Sequence, residues 1–122
     1  MRRTICAVLA VAAATIAAGA AVLQETATGA TTTTVGIGLH DFFITKSVNG
    51  GRHGTFTFLI RNRGAVTHNF RIRRGTAGTV LAKTTNIVPG DSRTKTLTLA
   101  AGTYTIFCNL HPNLMHVKFT VS

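Results

Sequence analysis

Cys108, His111 and Met115 fall within the eight residues Cys108-Asn109-Leu110-His111-Pro112-Asn113-Leu114-Met115. A second imidazole stands upstream at His68, and His116 directly follows the methionine. One thiolate, two imidazoles and a weak thioether are the donor set of a blue-copper electron-transfer site. Each donor has a reason to be there. The thiolate binds strongly and mixes with the copper orbitals. The imidazoles suit both oxidation states, and the distant thioether helps set the potential. Singly, the same residues have plainer uses: a core histidine, a methionine as packing, a cysteine as a small hydrophobe. Their conjunction points to a metal.

The pattern around them is alternation of period two. Val35, Ile37 and Leu39 share one parity, as do Phe56, Phe58 and Ile60, His68, Phe70 and Ile72, Leu97 and Leu99, and Tyr104, Ile106 and Cys108. Threonine and arginine fill the intervening positions, which describes half-buried strands. Turn signals lie between them at Asn49-Gly50-Gly51, Asn62-Arg63-Gly64, Pro89-Gly90-Asp91 and Ala101-Gly102. Strands are expected near 35–40, 42–47, 55–61, 67–73, 79–83, 93–99, 103–108 and 115–121. The fold class that follows is all-β, an antiparallel β-sandwich of seven to eight strands. In that register Cys108 ends a strand pointing inward and His68 points inward with Phe70 and Ile72. Met115 goes inward with Val117, Phe119 and Val121, while His116 goes out to water. Met115 is therefore preferred to His116 as the fourth donor. His40, His53 and His116 read as surface or loop residues.

The first 30 residues have a different character. Met1-Arg2-Arg3-Thr4 precedes an uncharged, alanine-rich stretch from Ile5 to Leu23, followed by small residues. This describes a signal peptide over 1–30, cut between about 20 and 30, with either Sec or Tat as its route. The alternative is a retained N-terminal anchor. Residues 31–34, four threonines, read as a polar linker, and 35–122 as the single folded domain. Export places the protein in the periplasm, the cell envelope or outside the cell. Cys6 lies in the leader, so the mature chain keeps only Cys108 and forms no internal disulfide. A lone exported cysteine calls for an explanation, and a metal supplies one.

The residues then meet a known pattern. Gly102-Thr103-Tyr104-Thr105-Ile106-Phe107-Cys108, continued as Cys-x-x-His-x-x-x-Met, resembles the cupredoxins, the group of plastocyanin, azurin and amicyanin. Thr67-His68-Asn69-Phe70 is similar to the family's upstream copper histidine and the asparagine after it. His40-Asp41-Phe42-Phe43-Ile44 and Val88-Pro89-Gly90-Asp91-Ser92 also resemble family segments. The resemblance implies a Greek-key sandwich holding one Cu(II)/Cu(I) ion on His68, Cys108, His111 and Met115. It also implies that Asn69 ties the two ligand loops together and that His111 is the exposed edge for electrons. Leu114 and His116-Val117 depart from the glycines the family often carries around its methionine, and the ligand loop is not of plastocyanin length.

Charge bears on partners. With Arg2, Arg3 and Glu25 outside the domain, 11 basic side chains face Asp41 and Asp91, a net charge of +9. Such a domain is drawn to an acidic redox partner or an anionic envelope surface. Nucleic acid does not suit an exported protein, and a monomer is expected. If their strands are neighbours, Arg61, Arg63, Arg71, Arg73 and Arg74 make one basic face, solvated or docking. An enzyme is not expected. The sequence has no glycine-rich nucleophile turn, no evident carboxylate to orient a cysteine–histidine pair, and none of the extra histidine clusters of a multicopper oxidase. Copper sequestration or delivery, and a colourless zinc site, are the alternatives to electron transfer.

Overall fold

The computed structural model describes residues 31–122, so the expected leader lies outside the described residues. Nine strands and no helix make up this part: β1 (Thr32–His40), β2 (Phe43–Lys46), β3 (Gly50–Gly51), β4 (Gly54–Asn62), β5 (Arg71–Arg74), β6 (Val80–Lys83), β7 (Ser92–Leu99), β8 (Gly102–Phe107) and β9 (His116–Val121). They form two sheets, ordered β2-β1-β4-β7 and β3-β9-β8-β5-β6. Inward side chains of both sheets meet in one core that includes Val35, Leu39, Ile60, Ile72, Tyr104 and Ile106. At its centre Phe58 packs on Phe70 and Phe119, with ring centroids 5.3 and 5.6 Å apart, and Phe56 meets Phe119 edge-on at 5.5 Å. Such tilted and edge-on contacts are the arrangement aromatic quadrupoles prefer.

Several expectations change, beginning with the strand count, which is nine rather than seven to eight because Gly50–Gly51 pairs as β3. Second, the threonines of 31–34 are not a linker, because β1 starts at Thr32 and Thr32–Thr34 pair with Thr55–Thr57 of β4. Threonine suits a strand once a partner strand is available. Third, β1 and β4 run parallel, as do β3 and β9, so both sheets are mixed rather than purely antiparallel. Fourth, the arginines do not make one face. β4 and β5 belong to different sheets, so Arg61 lies on the first sheet. Arg71 and Arg73 share the outer face of the second, where Arg71 pairs with Lys83, and Thr105 stands between Arg73 and Lys118. Arg74 reaches the Tyr104 hydroxyl at 3.1 Å.

The strand expected at 67–73 is shorter, and the reason positions the site. Asn62 is buried and holds a loop around itself. Its Nδ2 donates to the carbonyls of Val66 and Ile87 at 2.8 and 2.7 Å, and its Oδ1 accepts the Gly64 N–H at 2.8 Å. The chain then reaches His68, whose backbone exchanges two hydrogen bonds with Ile87 before β5 begins at Arg71.

Candidate metal centre

The end of β8 and the start of β9 frame the site. Tyr104 and Ile106 point into the core, and Cys108, just past the strand, continues inward with no exposed surface. The loop back to β9 is closed by its own backbone. Cys108 N–H donates to the Met115 carbonyl at 3.0 Å, Met115 N–H to the His111 carbonyl at 2.9 Å, and His111 N–H to the Cys108 carbonyl at 3.3 Å. This winding brings His111 back towards the thiol and seats Met115 in the core at 0% exposure. His116 faces water, its Nδ1 donating to the Pro112 carbonyl at 3.0 Å.

His68 Nδ1 and His111 Nδ1 each lie 3.9 Å from Cys108 Sγ, and the two rings sit 5.2 Å apart at an interplanar angle of 68°. One donor atom from each of the three residues falls within 4.8 Å of the others. That spacing tests for a metal. Two ligands at about 2.3 Å for sulfur and about 2.05 Å for nitrogen would be ~3.5 Å apart at a tetrahedral angle. The observed 3.9 Å is within the roughly 4.3 Å that one ion bonded to both atoms could span, so these side chains could hold a single metal. A soft thiolate and two imidazoles, with the buried thioether of Met115 on the loop of Cys108 and His111, are a donor set that suits copper.

Asn69 joins the two loops, as the family resemblance implied. Its backbone N–H donates to Cys108 Sγ at 3.4 Å, its Oδ1 accepts the Asn109 N–H at 2.8 Å, and its Nδ2 donates to Asn86 at 3.2 Å. The amide aimed at the sulfur stabilises a thiolate there.

One participant escaped sequence reasoning. Asp41, on the β1–β2 turn, places Oδ1 2.7 Å from His68 Nε2. Its carboxylate also accepts the Ala65 N–H at 2.7 Å. The Ala65 amide first, and then the His68 ring, hold its carboxyl below the usual carboxylate range. The sequence offered no evident orienting carboxylate. The structure corrects this, since Asp41 stands behind a histidine that faces a cysteine. The resemblance of His40-Asp41-Phe42-Phe43-Ile44 to a family segment was the available signal. His40 stays outside the cluster, stacked on Phe43 at 4.4 Å and bonded to Thr45. His53 bonds the Ser122 carbonyl at the far end of the chain.

Beside the partly exposed His111 several apolar side chains reach the surface. Phe42 packs its ring edge-on against His111 at 4.9 Å, and Leu110 and Leu114 on the ligand loop are exposed, Leu114 at 64%.

Comparison with known proteins fits this geometry. The profile of the cupredoxin-like domain matches residues 6–121. The chain belongs to the cupredoxin-like domain family. Among solved structures, this cupredoxin is similar to auracyanin A, a "blue" copper protein from the green thermophilic photosynthetic bacterium Chloroflexus aurantiacus. Identity is 21% over 75% of this chain and 100% of that one, with a TM-score of 0.64. Rusticyanin from Thiobacillus ferrooxidans matches at 18% identity over 75% of this chain and 77% of its own, with a TM-score of 0.61. A multicopper oxidase matches at 15% over 77% of this chain but only 43% of its own, at 0.56. At these identities the likeness is one of fold. A search of curated protein sequences finds no match.

Proposed function

We propose that this cupredoxin is an exported electron carrier that holds one copper ion on His68, Cys108, His111 and Met115. The observation that carries the reading is the convergence of His68, Cys108 and His111, which bring one donor atom each within 4.8 Å of the others, with Met115 fully buried on the loop of Cys108 and His111. Bound copper supplies a one-electron Cu(II)/Cu(I) couple. The residues supply the rest. Both ligand loops are pinned by backbone bonds and by Asn69, so the donors are held in one arrangement whichever oxidation state is present. Burial of Cys108 and Met115 keeps water from the sulfurs. His111, with Phe42, Leu110 and Leu114 about it, is the edge at which an electron enters and leaves.

The partner is an acidic redox protein. Supporting this is the outer face of the second sheet, where Arg71, Arg73, Lys83 and Lys118 gather without a carboxylate in their pairing register. The Nε atoms of Arg71 and Arg73 are buried with no hydrogen-bond partner among the described residues. The Arg73 guanidinium also lies 4.2 Å above the ring of Phe107, the residue before Cys108. Export and a periplasmic or envelope location rest on the leader pattern of residues 1–30.

The test is to add Cu(II) to the purified protein and to a Cys108→Ser variant. The reading predicts intense visible absorption, a sulfur-bound paramagnetic resonance spectrum and a reversible potential, with the colour lost in the variant. A colour that survives the substitution refutes the thiolate assignment. Copper that passes readily to an acceptor, without fast electron exchange, favours delivery instead.

A further inference from the structure

His68 has no exposed surface, yet both of its ring nitrogens are engaged. Nδ1 lies 3.9 Å from Cys108 Sγ and Nε2 lies 2.7 Å from Asp41 Oδ1. An ionised carboxylate only accepts hydrogen bonds, so the proton of the neutral ring must sit on Nε2. That leaves the Nδ1 lone pair aimed at the thiol. Asp41 is itself held in place. Ala65 N–H donates to Oδ2 at 2.7 Å and Val66 N–H reaches Oδ1 at 3.5 Å, both from the loop that carries His68. Gly64 leaves room for this approach. A Cβ at that position would collide with the Asp41 carboxylate and stand 3.0 Å from His68 Nε2. The loop is therefore shaped around an aspartate–histidine contact between residues 27 apart in sequence.

We infer that Asp41 is a positioning and tuning residue of the metal centre: it fixes the tautomer of His68 and places a negative charge behind that ligand, holding down the reduction potential. The inference rests on the copper reading above and adds to it. A carboxylate behind a ligating imidazole makes the ring a better donor and orients it. Its charge also favours the more highly charged oxidation state of an ion on the other side of the ring.

Two measurements test this, one of them without metal. In the metal-free protein, nitrogen chemical shifts of His68 should report the proton on Nε2, and Asp41→Ala should lose that bias. A ring protonated on Nδ1 in the parent protein overturns the inference. In the copper-loaded protein, Asp41→Asn removes the charge while keeping an acceptor oxygen. Losing such a partner typically costs about tenfold to a hundredfold in preference for the metal. If that falls on Cu(II), the potential rises by roughly 60–120 mV, at about 59 mV per tenfold for one electron. Gly64→Ala, which crowds the carboxylate but leaves it in the chain, should move the potential the same way. An Asp41→Asn protein with unaltered colour and unaltered potential refutes the tuning role. If the parent protein takes up no copper, the functional reading falls, while the metal-free shifts still decide the tautomer.

Discussion

Met115 has two roles that one substitution can separate. It is fully buried in the core cluster, so its bulk supports the fold, and its sulfur is the proposed fourth donor. Truncation to alanine loses both and should cost about 2–5 kcal/mol. Met115→Leu keeps the volume and loses only the sulfur, at under ~1.5 kcal/mol. For a domain of this size 1 kcal/mol shifts Tm by about 4–8 °C. Metal-free Met115→Leu should therefore melt within roughly 10 °C of the parent, and Met115→Ala some 10–30 °C below it. The copper forms should divide differently. Replacing an electron-pair donor by hydrocarbon removes support from the higher oxidation state, so the potential of Met115→Leu should rise. His116→Ala is the control. That ring is exposed and bonds only the Pro112 carbonyl, so stability should change by less than about 0.5 kcal/mol and the spectrum should not change. Differential scanning of the metal-free proteins and voltammetry of the copper forms give both readouts. An unmoved potential in Met115→Leu together with a moved one in His116→Ala would refute the axial assignment.

Asn62→Ala should destabilise the domain by about 2–4 kcal/mol, because it strips partners from the Val66 and Ile87 carbonyls and the Gly64 amide at once. Since that loop delivers His68, copper affinity measured by competition with a chelator should fall as well, and an unaltered affinity would show the loop to be irrelevant to the site. The cationic face is tested by electron exchange with a small anion, ferricyanide, in stopped flow. The rate should fall with ionic strength, and Arg71→Glu/Arg73→Glu should lower both the rate and its salt dependence. Equal salt dependence in parent and variant would place the operative charge elsewhere.

The parts of this site that were legible in the sequence are the parts that obey a period. Alternation set Tyr104, Ile106 and Cys108 on the inner side and separated Met115 from His116, and the structure buries the first of that last pair and exposes the second. A one-residue slip would have exchanged them, so burial of one face specifies the register strongly. What alternation does not encode is pairing between distant segments. Thr32–Thr34 look like a linker because nothing local shows that Thr55–Thr57 will run beside them in parallel. Asp41 acts from a turn, where no repeat marks it, on a partner 27 residues away, and Asn62, inward at the end of β4, bonds Val66 and Ile87, partners that alternation does not name. Whether the arginines would share one face hung on their strands being neighbours, and chain order does not say which sheet a strand joins.

The Asp41–His68–Cys108 line also has the form of a hydrolytic triad, with separations of 2.7 and 3.9 Å. Its surroundings do not suit that use. A nucleophile must present an open side to a carbonyl carbon and find oxyanion donors nearby. Cys108 is wholly buried, its sulfur already takes the Asn69 N–H, and a second imidazole stands as close to it as the first. A polyatomic substrate has no approach to such a sulfur, whereas one ion with bonds of about 2 Å does fit among the donors. The same aspartate–histidine pair therefore means different things at an open and at an enclosed thiol. At an open one it would raise the basicity of a ring that accepts the cysteine's proton. Here, with the ring edge closed in against two further donors, it aligns a lone pair on a fixed point in space.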